Sequence, residues 1–394
     1  MPVLTRVYGP ESFGTLAVYT ALASQLMPLL TLRYSVALPL PRSDGSALNL
    51  MAMSLGLLAV LTLTCLAVLS LASGPLLDWL QAGAVKPWWW LIPLGAAAMA
   101  LFELMSFWAT RLRGYGLIAR AQMLQALLGE STKVGLGLAG LHPLGLVLGQ
   151  IIAQGAGAAT FLRHYHADWD ARRRQVSGAR MRFLARRYRD FPLFRLPSQL
   201  LLGFAAQAPL LFVSALYDTG TAGQFALAMT AMSLPMTLIG RTMGQAYYGE
   251  AARMRDDAQG LWRMSFVVQA RLFLFAIPFA ALLILAAEPI FALVFGEEWR
   301  MAGHFTATLA VFLVLQVTSA PLMQALNILE QQRIFLVLNA ARVAGLVAIY
   351  LVAKRGGWTV DSFVPVVAGF LSLFYGAQTL HVLALLWLRK TRES

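Results

Sequence analysis

Residues 48–72 read LNLMAMSLGLLAVLTLTCLAVLSLA, a run of twenty-five residues without a charged side chain. A helix needs about 20 such residues to cross the roughly 30 Å of hydrocarbon in a bilayer. Ten more stretches share this length and apolar character, so the sequence predicts an all-α polytopic membrane protein with about eleven transmembrane helices. The eleven stretches are 13–32, 48–72, 91–110, 121–141, 144–162, 196–216, 223–246, 264–287, 304–326, 335–353 and 363–388.

The connecting segments differ in charge when they are assigned alternately to two sides of a membrane. One set holds 22 of the 31 Lys and Arg residues, and the other set holds 5. Basic loops stay in the cytoplasm, so we predict a multi-pass protein of the bacterial inner (cytoplasmic) membrane with a cytoplasmic carboxyl terminus. The net charge of +13 then reflects topology and attraction to anionic membrane lipids, and nucleic acid is not an expected partner.

The longest basic loop, 163–195, divides the chain. We predict an amino-terminal helical lobe of five spans at 1–162 and a carboxyl-terminal lobe of six spans at 196–394. Within the loop, arginines surround a face formed by Met181, Leu184 and Tyr188. This pattern predicts an amphipathic helix on the inner membrane surface, and a solvated basic linker is the alternative.

Two segments of the chain are similar to each other at an offset of 209 residues. Tyr8, Gly14 and Ala17 coincide with Tyr217, Gly223 and Ala226, and both segments open an inward-running span. The second copy follows the span 196–216, and no corresponding span precedes the first copy. We therefore expect a twelve-helix arrangement of two pseudo-symmetric lobes, with its first helix missing from this chain.

Ionised side chains at membrane depth cost about 2.5–3.5 kcal/mol each, so they normally face a partner or a cavity. Cations outnumber carboxylates in the spans, which favours an anionic cargo, and the planar fork of arginine suits phosphate. The predicted substrate-binding residues are Lys133, Arg241, Arg271 and Arg342, with Arg33 at the inner mouth. Two simpler interpretations stay open: Arg241 and Arg271 reach the membrane interface, and Lys133 pairs with the nearby Glu130.

No enzyme motif accompanies these residues. The sequence lacks a Walker-type phosphate loop, HExxH and Gly-x-Ser-x-Gly, and Cys65 is the single cysteine. We therefore predict neither catalysis, nor a cofactor, nor a metal site, and we expect transport to run downhill or on an ion gradient. Glu103 and Glu130 are the candidate coupling carboxylates, with pairing to cations as the alternative role.

The opening segment, Arg6-Val-Tyr-Gly-Pro-Glu-Ser-Phe-Gly14, resembles the start of the polysaccharide-transport branch of the multidrug/oligosaccharidyl-lipid/polysaccharide exporter (MOP) superfamily. Residues 223–248 are similar to the same branch, which includes the Wzx-type O-antigen and exopolysaccharide flippases. The resemblance implies a flippase for an undecaprenyl-diphosphate-linked oligosaccharide, with two helical lobes around a central cationic cavity that opens to alternate sides. It also implies a place beside the polysaccharide polymerase and export machinery of lipopolysaccharide or exopolysaccharide synthesis.

Two other functions are weighed against this one. A multidrug or cation exporter of the same superfamily would be expected to carry acidic cavity residues, which this sequence does not favour. A polysaccharide polymerase or ligase would need a substantial outside loop, and the longest here is 73–90.

Overall fold

The computed structural model describes residues 1–79, 82–254, 257–328 and 332–393, and this part of the chain is helical and contains no strand. Eleven of its helices have 21 or more residues, and each overlaps one predicted span, so the all-α prediction is confirmed. The α-helices are α1 (Pro2–Val7), α2 (Pro10–Leu30), α3 (Asp44–Trp79), α4 (Leu91–Arg111), α5 (Tyr115–Leu138), α6 (Leu144–Arg172), α7 (Gly178–Arg187), α8 (Leu196–Leu216), α9 (Thr219–Arg253), α10 (Ala258–Phe295), α11 (Arg300–Ile328), α12 (Gln332–Gly356) and α13 (Val360–Glu393).

Nine helices in the described residues are long and apolar enough to cross a membrane. The two long helices outside this set are α5 and α9, which carry the most polar of the predicted spans. Several helices are longer than their predicted spans: α3 has 36 residues and α10 has 38. At 1.5 Å per residue such helices reach about 55 Å, so they extend well beyond a hydrocarbon layer of about 30 Å.

The chain forms two compact units, and the boundary falls inside α8, after Gln207. In the first unit α4 packs against α2, α3 and α6, and α5 packs along α6. The basic segment 163–195 belongs to this unit.

The second unit repeats this packing scheme. Its helix α11 packs against α10 and α13, and α12 packs along α13. With α3 to α6 set against α10 to α13 in chain order, four helix pairs correspond, namely α3–α4, α4–α5, α4–α6 and α5–α6 with their counterparts in the second unit. The packing of α10 against α13 has no comparable counterpart between the described residues of α3 and α6. The internal repeat suggested by three sequence identities therefore has a counterpart in helix packing.

The two tyrosines of the repeat also occupy matching positions. The Tyr8 hydroxyl donates to the backbone oxygen of Lys133 (2.7 Å), at the end of α5, and its ring meets His142 in the α5–α6 turn. The Tyr217 hydroxyl donates to the backbone oxygen of Trp358 (3.1 Å), in the α12–α13 turn. Burial raises the pKa of both hydroxyls, and the carboxylate of Asp361 adds to the rise at Tyr217, so both remain donors at neutral pH. Each tyrosine thus ties the entry of its unit to that unit's last helical hairpin.

Candidate functional site

Arg342 is a buried cation near the middle of α12, ten residues from the first residue of that helix. It is 9% exposed. One terminal nitrogen donates to the Tyr375 hydroxyl on α13 (2.6 Å), and the other donates to the Asn339 side-chain oxygen (3.2 Å). The Tyr375 hydroxyl also accepts from Gln316 on α11 (3.3 Å). Three helices of the second unit therefore contribute polar groups around one guanidinium, which we call the Arg342 cluster (Arg342, Asn339, Tyr375, Gln316).

No carboxylate lies within ion-pairing distance of Arg342 in the part of the chain that the structure describes. Its Nε is buried and has no hydrogen-bond partner there. Removing a cation from water costs several kcal/mol even after relaxation, and neutral hydroxyl and amide partners offset only part of this. Since arginine does not lose its proton in proteins, the charge remains, and an anion is the group that would complete the site.

Lys133 is held differently in the first unit. Its side chain is 8% exposed, and its Nζ donates to Glu130 one turn earlier on α5 (2.9 Å). The pairing interpretation of this residue therefore agrees with the geometry. The lysine stem crosses Gly149 of α6 so closely that a Cβ added there would lie 2.5 Å from Lys133 Cγ. Helix α5 ends at Leu138, which places Lys133 about 8 Å from the end of the helix.

Arg33 and Glu103 form the second ion pair of this kind, again inside the first unit. One Arg33 terminal nitrogen donates to both Glu103 oxygens (2.8 and 3.1 Å), and the Ser35 hydroxyl donates to the same carboxylate (3.2 Å). The Arg33 side chain is 8% exposed and that of Glu103 is 21% exposed. The sequence predicts that Arg33 binds substrate at the inner mouth. In the structure its side chain is turned into the first unit and paired with Glu103.

The reason is local backbone geometry after α2. Leu32 and Arg33 adopt positive φ values of 47° and 60°, which cost non-glycine residues about 1–2 kcal/mol each. These angles fold the chain back, so that Tyr34 and Leu38 join the core formed with Trp108 of α4. The segment 33–38, which follows the first predicted span, is therefore largely buried.

The remaining predicted cations do not join these clusters. Arg271 is exposed on α10, which agrees with an arginine that reaches the membrane interface. Arg241 lies in α9, and its side chain is outside the described residues. On α4, Ser106 and Thr110 lie on the same helix face as Glu103, and both donate to backbone oxygens of their own helix, so they satisfy local hydrogen bonds.

Sequence analysis missed the α13 side of the Arg342 cluster. Tyr375, Gln378 and Thr379 are all buried, and the Thr379 hydroxyl has no partner in the described residues. Their spacing of three and four residues places them on one helix face, and this spacing is visible in the sequence. It was overlooked because tyrosine and threonine are common in apolar spans.

Comparison with known proteins identifies the family of the chain. The profile of a family described as "polysaccharide biosynthesis protein" matches residues 3–303, about three quarters of the sequence. The chain belongs to this polysaccharide biosynthesis protein family. The family resemblance that the sequence suggested is thereby confirmed, and no curated protein matches the chain.

Two solved structures share the fold of this polysaccharide biosynthesis protein. The inward-facing form of a multidrug-resistance MATE transporter of the MOP superfamily is similar with a TM-score of 0.65 and 17% identity, over 100% of this chain and 95% of that one. A mutant of the MATE transporter VcmN from Vibrio cholerae is similar with a TM-score of 0.55 and 16% identity, over 99% and 96%. Family, fold and the nine membrane-spanning candidates among the described residues together make the chain a multi-pass helical membrane protein of the polysaccharide biosynthesis family with a MATE-like fold.

Proposed function

We propose that this protein is a flippase that moves an undecaprenyl-diphosphate-linked oligosaccharide from the inner to the outer leaflet of the bacterial inner membrane. It works by alternating access on an ion gradient and not as an enzyme, with its carboxyl terminus in the cytoplasm. The family supports a role in polysaccharide synthesis, and the fold supports export. The carrier lipid and the saccharide are the proposed part.

The observation that carries the proposal is the Arg342 cluster. A buried guanidinium without a carboxylate, in the middle of a transmembrane helix, favours an anionic ligand. Arginine can give a phosphate two parallel charge-assisted hydrogen bonds, and the unused Nε of Arg342 can supply one of them. The Tyr375 hydroxyl and the Asn339 and Gln316 amides would then bind remaining phosphate or sugar oxygens.

Lys133 has a secondary role in this proposal. Its ammonium group is neutralised by Glu130, whose side chain is 48% exposed. An arriving diphosphate can replace such a carboxylate as the partner of Lys133. The first unit therefore offers an ammonium group whose carboxylate partner the cargo can replace. The second unit offers a guanidinium that has no carboxylate partner among the described residues.

The test is the leaflet distribution of the lipid-linked repeat unit in a deletion strain. We expect the complete repeat unit to accumulate on the cytoplasmic leaflet, while surface polysaccharide is lost. A plasmid copy of the gene should restore export, and a copy carrying Arg342→Gln should not, although it reaches the membrane in equal amount.

Other outcomes would point elsewhere. Carrier-linked repeat units that still reach the outer leaflet, with shortened or missing chains, would indicate a polymerase or ligase. Normal polysaccharide together with sensitivity to cationic drugs would indicate a multidrug exporter.

A further inference from the structure

Helix α7 is fixed to the first unit by one face. Leu184 is 4% exposed and packs in the core with Tyr34 and Trp108. The Tyr34 hydroxyl donates to the backbone oxygen of Ala185 (3.1 Å). The apolar face that the sequence assigned to the membrane is therefore covered by the protein itself.

The segment before α7 is fastened as well. The buried side chain of Asn49, near the start of α3, donates to the backbone oxygen of Gln175 (3.0 Å) and accepts from the backbone nitrogen of Ser177 (2.8 Å). It also donates to the backbone oxygen of Gly45 (2.7 Å), one turn earlier on α3. Residues 175–185 are thus attached to the first unit by hydrogen bonds near one end and by the packing of Leu184 near the other.

The free face of α7 combines arginines with one aromatic ring. Phe183 is 65% exposed. Arg180 and Arg187 are two turns apart and share one side of Phe183, whereas Arg182 and Arg186 are one turn apart and share the other side. All four arginines are exposed, and none has a carboxylate within ion-pairing distance in the described residues. We call this surface the α7 face (Arg180, Arg182, Phe183, Arg186, Arg187).

Exposed apolar side chains also lie between α7 and α8. Leu193 and Phe194, at the entrance to α8, are 60% and 69% exposed. They belong to a segment, Phe191–Leu216, that is long and apolar enough to span a membrane. The α7 face therefore adjoins the inner end of a membrane span, at the level where phospholipid headgroups lie under the predicted topology.

We propose that the α7 face binds the headgroups of anionic phospholipids in the cytoplasmic leaflet. Charge complementarity selects this occupant, because four arginines that pair with no carboxylate among the described residues meet a surface of phosphates. Phe183 enters the boundary between headgroups and acyl chains. The same helix contacts Tyr34, the neighbour of Arg33 in the chain. Lipid binding would therefore brace the folded-back segment that carries the Arg33–Glu103 pair.

The experiment uses the purified full chain in a neutral detergent and fluorescent phosphatidylglycerol or phosphatidylcholine as the probe. We expect phosphatidylglycerol to bind at least about tenfold more tightly than phosphatidylcholine. A variant with Arg180→Gln, Arg182→Gln, Arg186→Gln and Arg187→Gln should lose at least about tenfold in phosphatidylglycerol affinity.

The matched control removes the same charge from other exposed arginines of the basic loops, through Arg113→Gln, Arg120→Gln, Arg253→Gln and Arg263→Gln. This control should retain phosphatidylglycerol affinity to within about threefold. Equal losses in the two variants would mean that net charge alone attracts lipid, and an unaffected α7 variant would exclude the site. Melting temperature and gel-filtration profile, measured for both variants, establish that each is folded before its affinity is compared.

Discussion

Replacing Arg342 by methionine is expected to stabilise the protein while it abolishes export. The change removes two hydrogen bonds, to Tyr375 and Asn339. The bond to Tyr375 joins two membrane helices, and such bonds average about 0.6 kcal/mol and reach about 1.7 kcal/mol. The bond to Asn339 lies within α12 and contributes about 0.5–1.5 kcal/mol, so the total loss is about 1–3 kcal/mol. The change also removes the desolvation cost of a buried cation without a carboxylate, which is several kcal/mol. Tyr375 keeps its bond to Gln316, and Asn339, which also loses its bond to Arg342, is only half-buried, so the change adds little desolvation cost of its own.

The expected net effect is a stabilisation of about 1–2 kcal/mol. For a unit of this size, each kcal/mol corresponds to a rise of roughly 2–4 °C in melting temperature. The assay is thermal unfolding of the detergent-purified protein, followed by gel filtration with fluorescence detection. Export is measured in parallel by complementation of the deletion strain.

Arg33→Met is the matched control, because Arg33 is as buried as Arg342 but has a carboxylate partner. Its removal leaves Glu103, 21% exposed, without a counter-ion. Breaking a buried pair in this way costs about 3–5 kcal/mol, and partial exposure of Glu103 places the expected loss near the lower end. The reasoning is refuted if Arg342→Met lowers the melting temperature as much as Arg33→Met does. Arg342 would then be a structural hydrogen-bond donor, and its claim to bind cargo would fail.

Two further predictions concern packing. Gly149→Ala should displace the Lys133 stem and lower the melting temperature through an overpacking cost of about 1–3 kcal/mol. Gly155→Ala on the same helix, where a Cβ meets no atom within 4 Å, should leave the melting temperature unchanged or slightly higher. Equal effects at the two positions would contradict the close approach of Lys133 to Gly149. Tyr8→Phe should destabilise the protein by about 1 kcal/mol and the less buried Tyr217→Phe by less, because each loses one hydrogen bond to the backbone of its own unit. Melting curves of the two variants measure this, and a neutral Tyr8→Phe would count against the matched role of the two tyrosines.

The sequence predicted those features that depend on neighbouring residues. Helix positions followed from apolar length, and the Lys133–Glu130 pair followed from a spacing of three residues within one helix. Asn339 and Arg342 are likewise three residues apart in the sequence, which places them on one helix face. Each of these requires only the geometry of a single helix.

Features that join distant parts of the chain could not be predicted in this way. Arg33 and Glu103 are 70 residues apart, and they meet because two non-glycine residues adopt positive φ. Nothing in the residue types at Leu32 and Arg33 indicates that conformation. The covered face of α7 has the same origin: amphipathic periodicity identifies a face that must be buried, but not whether lipid or protein buries it.

The pairing of the cations also constrains how a proton could drive this transporter. A proton on Glu130 would free Lys133, and a freed cation attracts an anionic cargo, so proton and cargo would bind together. Coupling between two ligands is reciprocal, so a proton bound at Glu130 and bound cargo would each strengthen the binding of the other. Export driven by inward proton flow requires the opposite relation, in which one ligand excludes the other. Glu130 therefore fits the role of a counter-ion better than that of a coupling group. Cargo binding that is weakened by added protons in the parent protein, but not in Glu130→Gln, would reverse this conclusion.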